Sequence, residues 1–219
     1  MIDLHTHTLF SDGELIPAEL VRRAVVRGYE VIAITDHGDQ SNIDFILPRV
    51  VRVSRILALA HHIPVIPGIE LTHVPPQHIA ELAREARRLG AMIVIVHGET
   101  LVEPVMPGTN EAALQADIDI LAHPGLISED CMNLAKKKKI FLEITARKGH
   151  SLTNGHVAKM AGKFKVPLVL NTDSHAPGDL IDRDMARSVI MGAGLDKKEA
   201  EKVLNNARTL ADRIWAGKR

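Results

Sequence analysis

The chain repeats one device along most of its length: a short apolar run ends on His, Asp or Glu and gives way to an amphipathic stretch. Val166-Pro167-Leu168-Val169-Leu170 leads into Asn171-Thr172-Asp173-Ser174-His175. Residues 1–4 lead into His5-Thr6-His7, 31–35 into Asp36-His37-Gly38, and 65–69 into Glu70. Further on, 91–96 lead into His97, 117–122 into His123-Pro124-Gly125, and 140–142 into Glu143. Apolar runs of this length, bounded by turn residues, read as buried strands. Between them lie segments of helical period at 17–27, 42–62 (interrupted at Pro48), 77–89, 129–139 and 154–164. Two more, near 184–191 and 197–215, follow the last strand. The stretch after Glu99 carries Pro104, Pro107 and Gly108 and reads as a long loop.

Strands that alternate with helices make parallel neighbours, because each crossover returns the chain to the same end. An open doubly wound sheet and a closed barrel both satisfy that alternation. An open sheet gathers its ligands at one switch point, whereas a barrel turns every strand end toward one mouth. Polar residues at all seven ends favour the barrel. The 219 residues fit a single α/β domain, 1–219, and no repeat, linker or low-complexity stretch divides it. Aromatic residues are only 3%, so the core has to be built from Ile, Leu, Val, Ala and Met.

Charge and cysteine usage narrow the function classes. Lys plus Arg equals Asp plus Glu at 27 each, which argues against bulk electrostatic binding of nucleic acid but allows a short anionic substrate. One cysteine, Cys131, permits no intramolecular disulfide and suits a reducing compartment. Met1 runs straight into a strand with no basic-then-apolar leader, and no apolar run approaches the roughly 20 residues of a membrane span. The expected location is the cytoplasm, with no membrane partner.

Histidine, at 12 residues, decides the reading. Nine residues are candidate metal ligands: His5, His7, Asp12, His37, Glu70, His97, His123, Asp173 and His175. In extended chain, residues two apart face one side, so His5 and His7 reach one ion. Any single polar residue at a strand end is more simply the step from core to loop. That account strains when six of seven strands end in metal-ligand residue types and the remaining one ends in Glu143. One metal takes three or four protein ligands, so this set implies two or three, with a carboxylate such as Glu70 bridging a pair. Mixed imidazole and carboxylate donors suit divalent zinc, manganese or iron. His61, His62, His73, His78 and His156 lie on helices or loops and carry no such expectation.

His5-Thr6-His7 with Ser11-Asp12-Gly13, Thr35-Asp36-His37, Gly68-Ile69-Glu70, His97, Ala122-His123-Pro124 and Asp173-Ser174-His175 together resemble the PHP (polymerase and histidinol phosphatase) family. The motifs span residues 3–175 in the family's order. The resemblance implies a distorted seven-stranded (β/α) barrel with a two- or three-metal site, and phosphoesterase activity in stand-alone members. It also implies that His5, His7, Glu70 and Asp173 hold one metal. Glu70 then bridges to a second held by His97 and His123, while Asp12, His37 and His175 hold the third.

Hydrolysis at phosphorus also needs donors for the phosphate oxygens. Arg147-Lys148-Gly149-His150-Ser151 follows the sixth strand and is expected to reach the mouth. There Arg147 would hold phosphate bidentately and Lys148 would add a point charge. Ser151 is a further substrate contact, and His150 would donate to phosphate or protonate the leaving group. Glu70, Arg147 and His150 are thus the expected catalytic residues and a small phosphorylated molecule the expected substrate. Two other readings stay open. An amidohydrolase-like enzyme also begins with His-x-His, but brings eight strands and often a bridging Lys from the fourth. A non-catalytic PHP-like module is expected to have lost ligands.

Overall fold

A computed structural model describes residues 1–217; Lys218 and Arg219, the end of the expected 1–219 domain, lie outside the described residues. The strands are β1 (Ile2–Asp3), β2 (Val31–Ile34), β3 (His37–Gly38), β4 (Val65–Leu71), β5 (Ile93–His97), β6 (Ile120–Ala122), β7 (Phe141–Thr145) and β8 (Leu168–Asn171). All pair in parallel in the order β1-β2-β4-β5-β6-β7-β8. The short β3 takes up the line of β2 beyond Thr35-Asp36 and pairs with β4. The result is a nearly closed, distorted barrel of seven strands in a single α/β domain, as the resemblance implies.

Alternation along the strands sorts their side chains into two layers. Val31, Ala33, Ile66, Ile93, Ile95, Ile120, Phe141 and Val169 share one cluster with Ile2 and Leu4, the barrel interior. Leu210, Ala211 and Ile214 of α8 (Lys197–Trp215) join that cluster. Ile32, Ile34, Ile69, Val94, Val96, Leu121 and Leu142 belong to the other, between sheet and helices. There they meet α1 (Pro17–Val26), α2 (Ile43–His61), α3 (Pro76–Arg88), α4 (Thr109–Gln115), α5 (Glu129–Lys138), α6 (Asn154–Phe164) and α7 (Arg183–Gly192). Among the described residues no helix is long and apolar enough to cross a membrane.

Two elements differ from the sequence expectation. α2 runs unbroken through Pro48. Pro48 is exposed, so the carbonyl that its missing N–H leaves free faces water rather than core. The long loop after Glu99 contains α4, which starts after Gly108 at φ 92° and buries Ala113 and Leu114. Seven residues are too few for a periodic signal to stand out.

The seam between β1 and β8 is closed by side chains. Thr6 and Ser174 form a single bridge, and the His7 amide donates to the Ser174 carbonyl at 2.9 Å. Below it, the Leu4 amide donates to Asn171 Oδ1 at 2.9 Å, and Thr172 Oγ1 donates to Asp3 Oδ2 at 2.5 Å. Asn171 also donates through Nδ2 to Glu143 Oε2 at 2.8 Å, so one buried amide ties β1 to β7. Asn171→Ala is expected to strip both partners and lower stability by about 2–4 kcal/mol. Urea unfolding of the two proteins measures it.

Candidate metal centre

The alternation that fills the barrel interior also aims its C-terminal ends. Beyond Ile66 and Gly68 the inward position is Glu70, beyond Ile93 and Ile95 it is His97, and beyond Phe141 it is Glu143. Beyond Val169 and Asn171 it is Asp173. Two of the donors stand on strained backbone, His123 at φ 26° and Asp173 at φ 52°. Non-glycine residues held in that region cluster at functional sites, where the surrounding structure enforces them. Asp12 is displayed by a tight turn in which Gly13 N donates to the Thr8 carbonyl at 2.9 Å. A Cβ on Gly13 would fall 2.6 Å from the His7 carbonyl, so only glycine lets the turn lie this close. Asp36 fastens the same turn by accepting from Thr8 N at 2.7 Å and Ser11 Oγ at 2.8 Å.

All nine expected ligands come together. One group is His5, His7 and Asp173; a second is His7, Asp12, His37 and His175; a third is His97, His123 and His150. The groups adjoin, with the rings of His37 and His175 each 4.1 Å from that of His7. His123 lies 5.8 Å from His5. Glu70, fully buried, sits between them: Oε1 lies 3.3 Å from His5 Nε2, while Oε2 lies 2.7 Å from His37 Nδ1. Asp12 closes the second group at 3.2 Å from His175 Nε2 and 3.4 Å from His37 Nε2.

The buried carboxylates and imidazoles hold one another's charge states. Burial opposes the ionised Glu70, yet His5 and His37 hold its carboxyl well below the usual range. Burial likewise opposes charge on His5, but Glu70, Glu143 and Asp173 raise its pKa well above that of a free imidazole. Burial, then the adjacent His37, pushes His7 down to about 3. Buried nitrogens or oxygens of His5 (Nε2), His7 (Nδ1 and Nε2), Glu70 (Oε1), His123 (Nε2) and Asp173 (Oδ1) have no hydrogen-bond partner among the described residues. An unsatisfied buried polar atom costs about 1–3 kcal/mol. Six in one cluster of imidazole and carboxylate donors fit metal ions.

Glu143 stands behind the centre. Its Oε2 lies 2.8 Å from His5 Nδ1 and its Oε1 lies 3.2 Å from His123 Nδ1. Against the effect of burial, those two histidines hold its carboxyl down to about 2. One anion therefore accepts from the rear nitrogens of two imidazoles and leaves both Nε2 atoms to face the centre.

The expected phosphate loop divides. Arg147 lies beside the His175 segment, 3.3 Å from Asp179 Oδ2, which also accepts from the His175 amide at 2.9 Å. Lys148 is exposed. The Ser151 amide donates to the Arg147 carbonyl at 3.1 Å. His150 is drawn inward and stacks on His123 at 4.2 Å. Burial, then the charge of His123, lowers it to about 4. A neutral imidazole keeps one nitrogen lone pair free, the form in which histidine binds a metal. Glu103 and His73 are additions the sequence did not single out. Glu103 lies 3.1 Å from His97 Nε2 and 3.3 Å from His73 Nε2. A hydrogen bond from His97 pulls its carboxyl down to about 2.

A parallel seven-stranded barrel whose strand ends converge on histidine and carboxylate groups defines a class of metal-dependent hydrolase folds. Residues 3–130 match the PHP domain, and the chain belongs to that family. It is 52% identical over 204 residues to an uncharacterized protein of Methanocaldococcus jannaschii, covering 92% of this chain and 94% of that one. Its fold is shared with a chain in the structure of an archaeal ribonuclease P with mature tRNA. That likeness has a TM-score of 0.75 and 18% identity over 98% of this chain and 91% of the other. The fold is also shared with histidinol phosphate phosphatase of Lactococcus lactis, solved with zinc, L-histidinol and phosphate. There the TM-score is 0.61 and the identity 19%, over 89% of this chain and 94% of the other.

Glu143→Gln offers one acceptor where two imidazoles each donate. Its expected effect is a roughly 10- to 100-fold weaker metal affinity, the scale for partners that orient metal-binding histidines. Isothermal titration of the chelator-treated protein with zinc or manganese measures it, with circular dichroism to confirm the fold.

Proposed function

We propose that the protein hydrolyses a phosphoester, in the first instance a small phosphomonoester, with two or three divalent ions of zinc, manganese or iron. The observation that carries this reading is the convergence of nine imidazole and carboxylate side chains in one mouth, six of whose buried nitrogens and oxygens have no hydrogen-bond partner among the described residues. Ions held there would lower the pKa of bound water and polarise phosphoryl oxygens. Everything else is done by the chain. His5, His7, Glu70 and Asp173 form one set of donors, Glu70 with His97 and His123 a second, and Asp12, His37 and His175 a third. Glu70 Oε1 lies 3.3 Å from His5 Nε2 and 3.8 Å from His123 Nε2, while Oε2 lies 2.7 Å from His37 Nδ1, so its carboxylate touches a donor of each set.

Arg147 is the phosphate clamp. Asp179 fixes its guanidinium beside the His175 segment, where a planar fork can take two phosphate oxygens. Lys148 adds a flexible positive charge and Ser151 a hydroxyl at the same rim. The neutral overall charge suits a short substrate more than a polynucleotide. The single cysteine, buried at the start of α5, suits the cytoplasm.

The competing readings explain less. An amidohydrolase-like enzyme calls for eight strands and a bridging lysine, whereas the ring has seven strands and β5 ends in His97. A non-catalytic module gives no reason to keep nine donors in register at six strand ends.

A screen of phosphomonoesters and diesters, with each of the three metals supplied, tests the activity. Elemental analysis of protein purified without chelator is expected to give at least two transition ions per chain, and one or fewer would end the multinuclear reading. Glu70→Gln is expected to lower turnover by orders of magnitude with the fold intact. Arg147→Ala is expected to lower kcat/KM by about 2.7–4 kcal/mol, roughly a hundred- to a thousand-fold. Lys148→Ala should do less, and neither cation variant should change metal content. Unchanged kinetics in both would return this loop to ordinary solvated surface.

A further inference from the structure

The connection from β5 to α4 reaches back across the mouth, and Glu103 is the residue it delivers. Glu103 Oε2 lies 3.1 Å from His97 Nε2, and Oε1 lies 3.3 Å from His150 Nε2. The rear nitrogens of both rings are engaged elsewhere. His97 Nδ1 donates to the Gly98 carbonyl at 3.1 Å, and His150 Nδ1 bonds Thr100 Oγ1 at 2.8 Å. His123 lies between them, 4.4 Å from the His97 ring and 4.2 Å from the His150 ring. Glu143 holds its Nδ1, and its buried Nε2 has no hydrogen-bond partner among the described residues. Three imidazoles thus present Nε2 to one region, and a carboxylate is already in contact with two of them.

We propose that Glu103 is the fourth donor of the His97, His123 and His150 group, carried by its loop as an exchangeable ligand that an anionic phosphate displaces. The inference rests on the metal-dependent reading above and adds His150 and Glu103 to its donors. With Glu70 as the bridging carboxylate, three nitrogens and two carboxylate oxygens fill a divalent ion that takes four or five donors. A substrate oxygen then enters only if one donor yields, and Glu103 is the donor able to yield. Glu70 and Asp173 are buried at their strand ends, whereas Glu103 is 37% exposed on a loop. The base of that loop is firm, because Glu99 Oε1 accepts from the amides of Gly108 at 3.1 Å and Asn110 at 2.8 Å. At its tip the neighbouring Leu101 and Val102 are exposed rather than packed into the core. A phosphate oxygen brings the same sign of charge as the carboxylate it replaces, so the exchange leaves the centre's electrostatics nearly unchanged.

The test uses the full chain freed of metal by chelator, then titrated with cobalt(II) by calorimetry and visible absorption. Glu103→Gln is expected to weaken one cobalt equivalent by roughly 10- to 100-fold and shift the absorption of that step alone. Glu103→Asp, one methylene shorter, should recover part of the affinity. Inorganic phosphate should bind metal-loaded Glu103→Gln more tightly than the parent, because no carboxylate competes. A cobalt titration and spectrum that superimpose on the parent's would make Glu103 only an ion-pair partner of the histidines and overturn the proposal. A weakened metal step with no tightening of phosphate would overturn the exchange. The parent titration is read separately: one equivalent or fewer there would overturn the multinuclear reading, and none would overturn the metal-dependent reading itself.

Discussion

The architecture depends on one constraint, the need to bury a dense set of ionisable groups where water cannot solvate them. His5, His7, Glu70, His123, Glu143 and Asp173 are all essentially inaccessible. A charge in such a place is tolerated only with a partner at close range. Glu143 meets the demand for two histidines at once, and Asn171 satisfies the carboxylate in turn. Asn171 also accepts from the Leu4 amide across the seam. Barrel closure and the orientation of the histidines are therefore one hydrogen-bonded network, running from β1 through β8 and β7 to His123.

That linkage explains why so short a strand as β1 can close the ring. Ile2–Asp3 makes two ladder registers with β2, and the backbone bridge to the β8 side is single. Side chains supply what the ladder lacks: Asp3 accepts from Thr172, and Thr6 Oγ1 donates to the Ala33 carbonyl at 2.5 Å. A chain that turns within three residues from a strand to His5 and His7 could not sustain a longer ladder there. The donors take the place of strand, and the polar seam keeps the ring shut around them.

Much of this was legible in the sequence because a strand has a period of two. Once 65–71 is a strand with Ile66 inside, Glu70 must point inward, and the same count delivers His97, Glu143 and Asp173. The count fails at His123, where the interior residues are Ile120 and Ala122, and only a left-handed backbone turns the next side chain inward. There the residue type, and not the period, gave the candidate. Glu143 was legible as a strand-end carboxylate, but its place behind two histidines needed the closed ring to appear. Glu103 and His73 lay on loops, where no periodicity fixes direction, and His150 read as a rim residue because the inward turn of its 3-10 segment has no sequence signal. Pro48 misled for a related reason: a proline's cost depends on whether its helix face meets core or water, which spacing alone does not reveal.

The donors are graded in exposure, and the grading gives the mouth a direction. His5, His7, Glu70 and Asp173 form its floor. On one side His97, His123 and His150 lie under Glu103, so that flank is covered. On the other side His37, His175 and especially Asp12, whose carboxylate is 57% exposed, open toward solvent. Arg147 is on this open flank, held by the same Asp179 that caps the His175 turn. On the proposed phosphoesterase reading, a phosphate entering past Asp12 would meet the Arg147 cation first and the buried floor next. The Asp12 carboxylate would oppose it little, because His37 and His175 already lie 3.4 and 3.2 Å from its Oδ1. The exposed flank would then admit an anion that the buried floor, rich in carboxylates, would reject without bound cations.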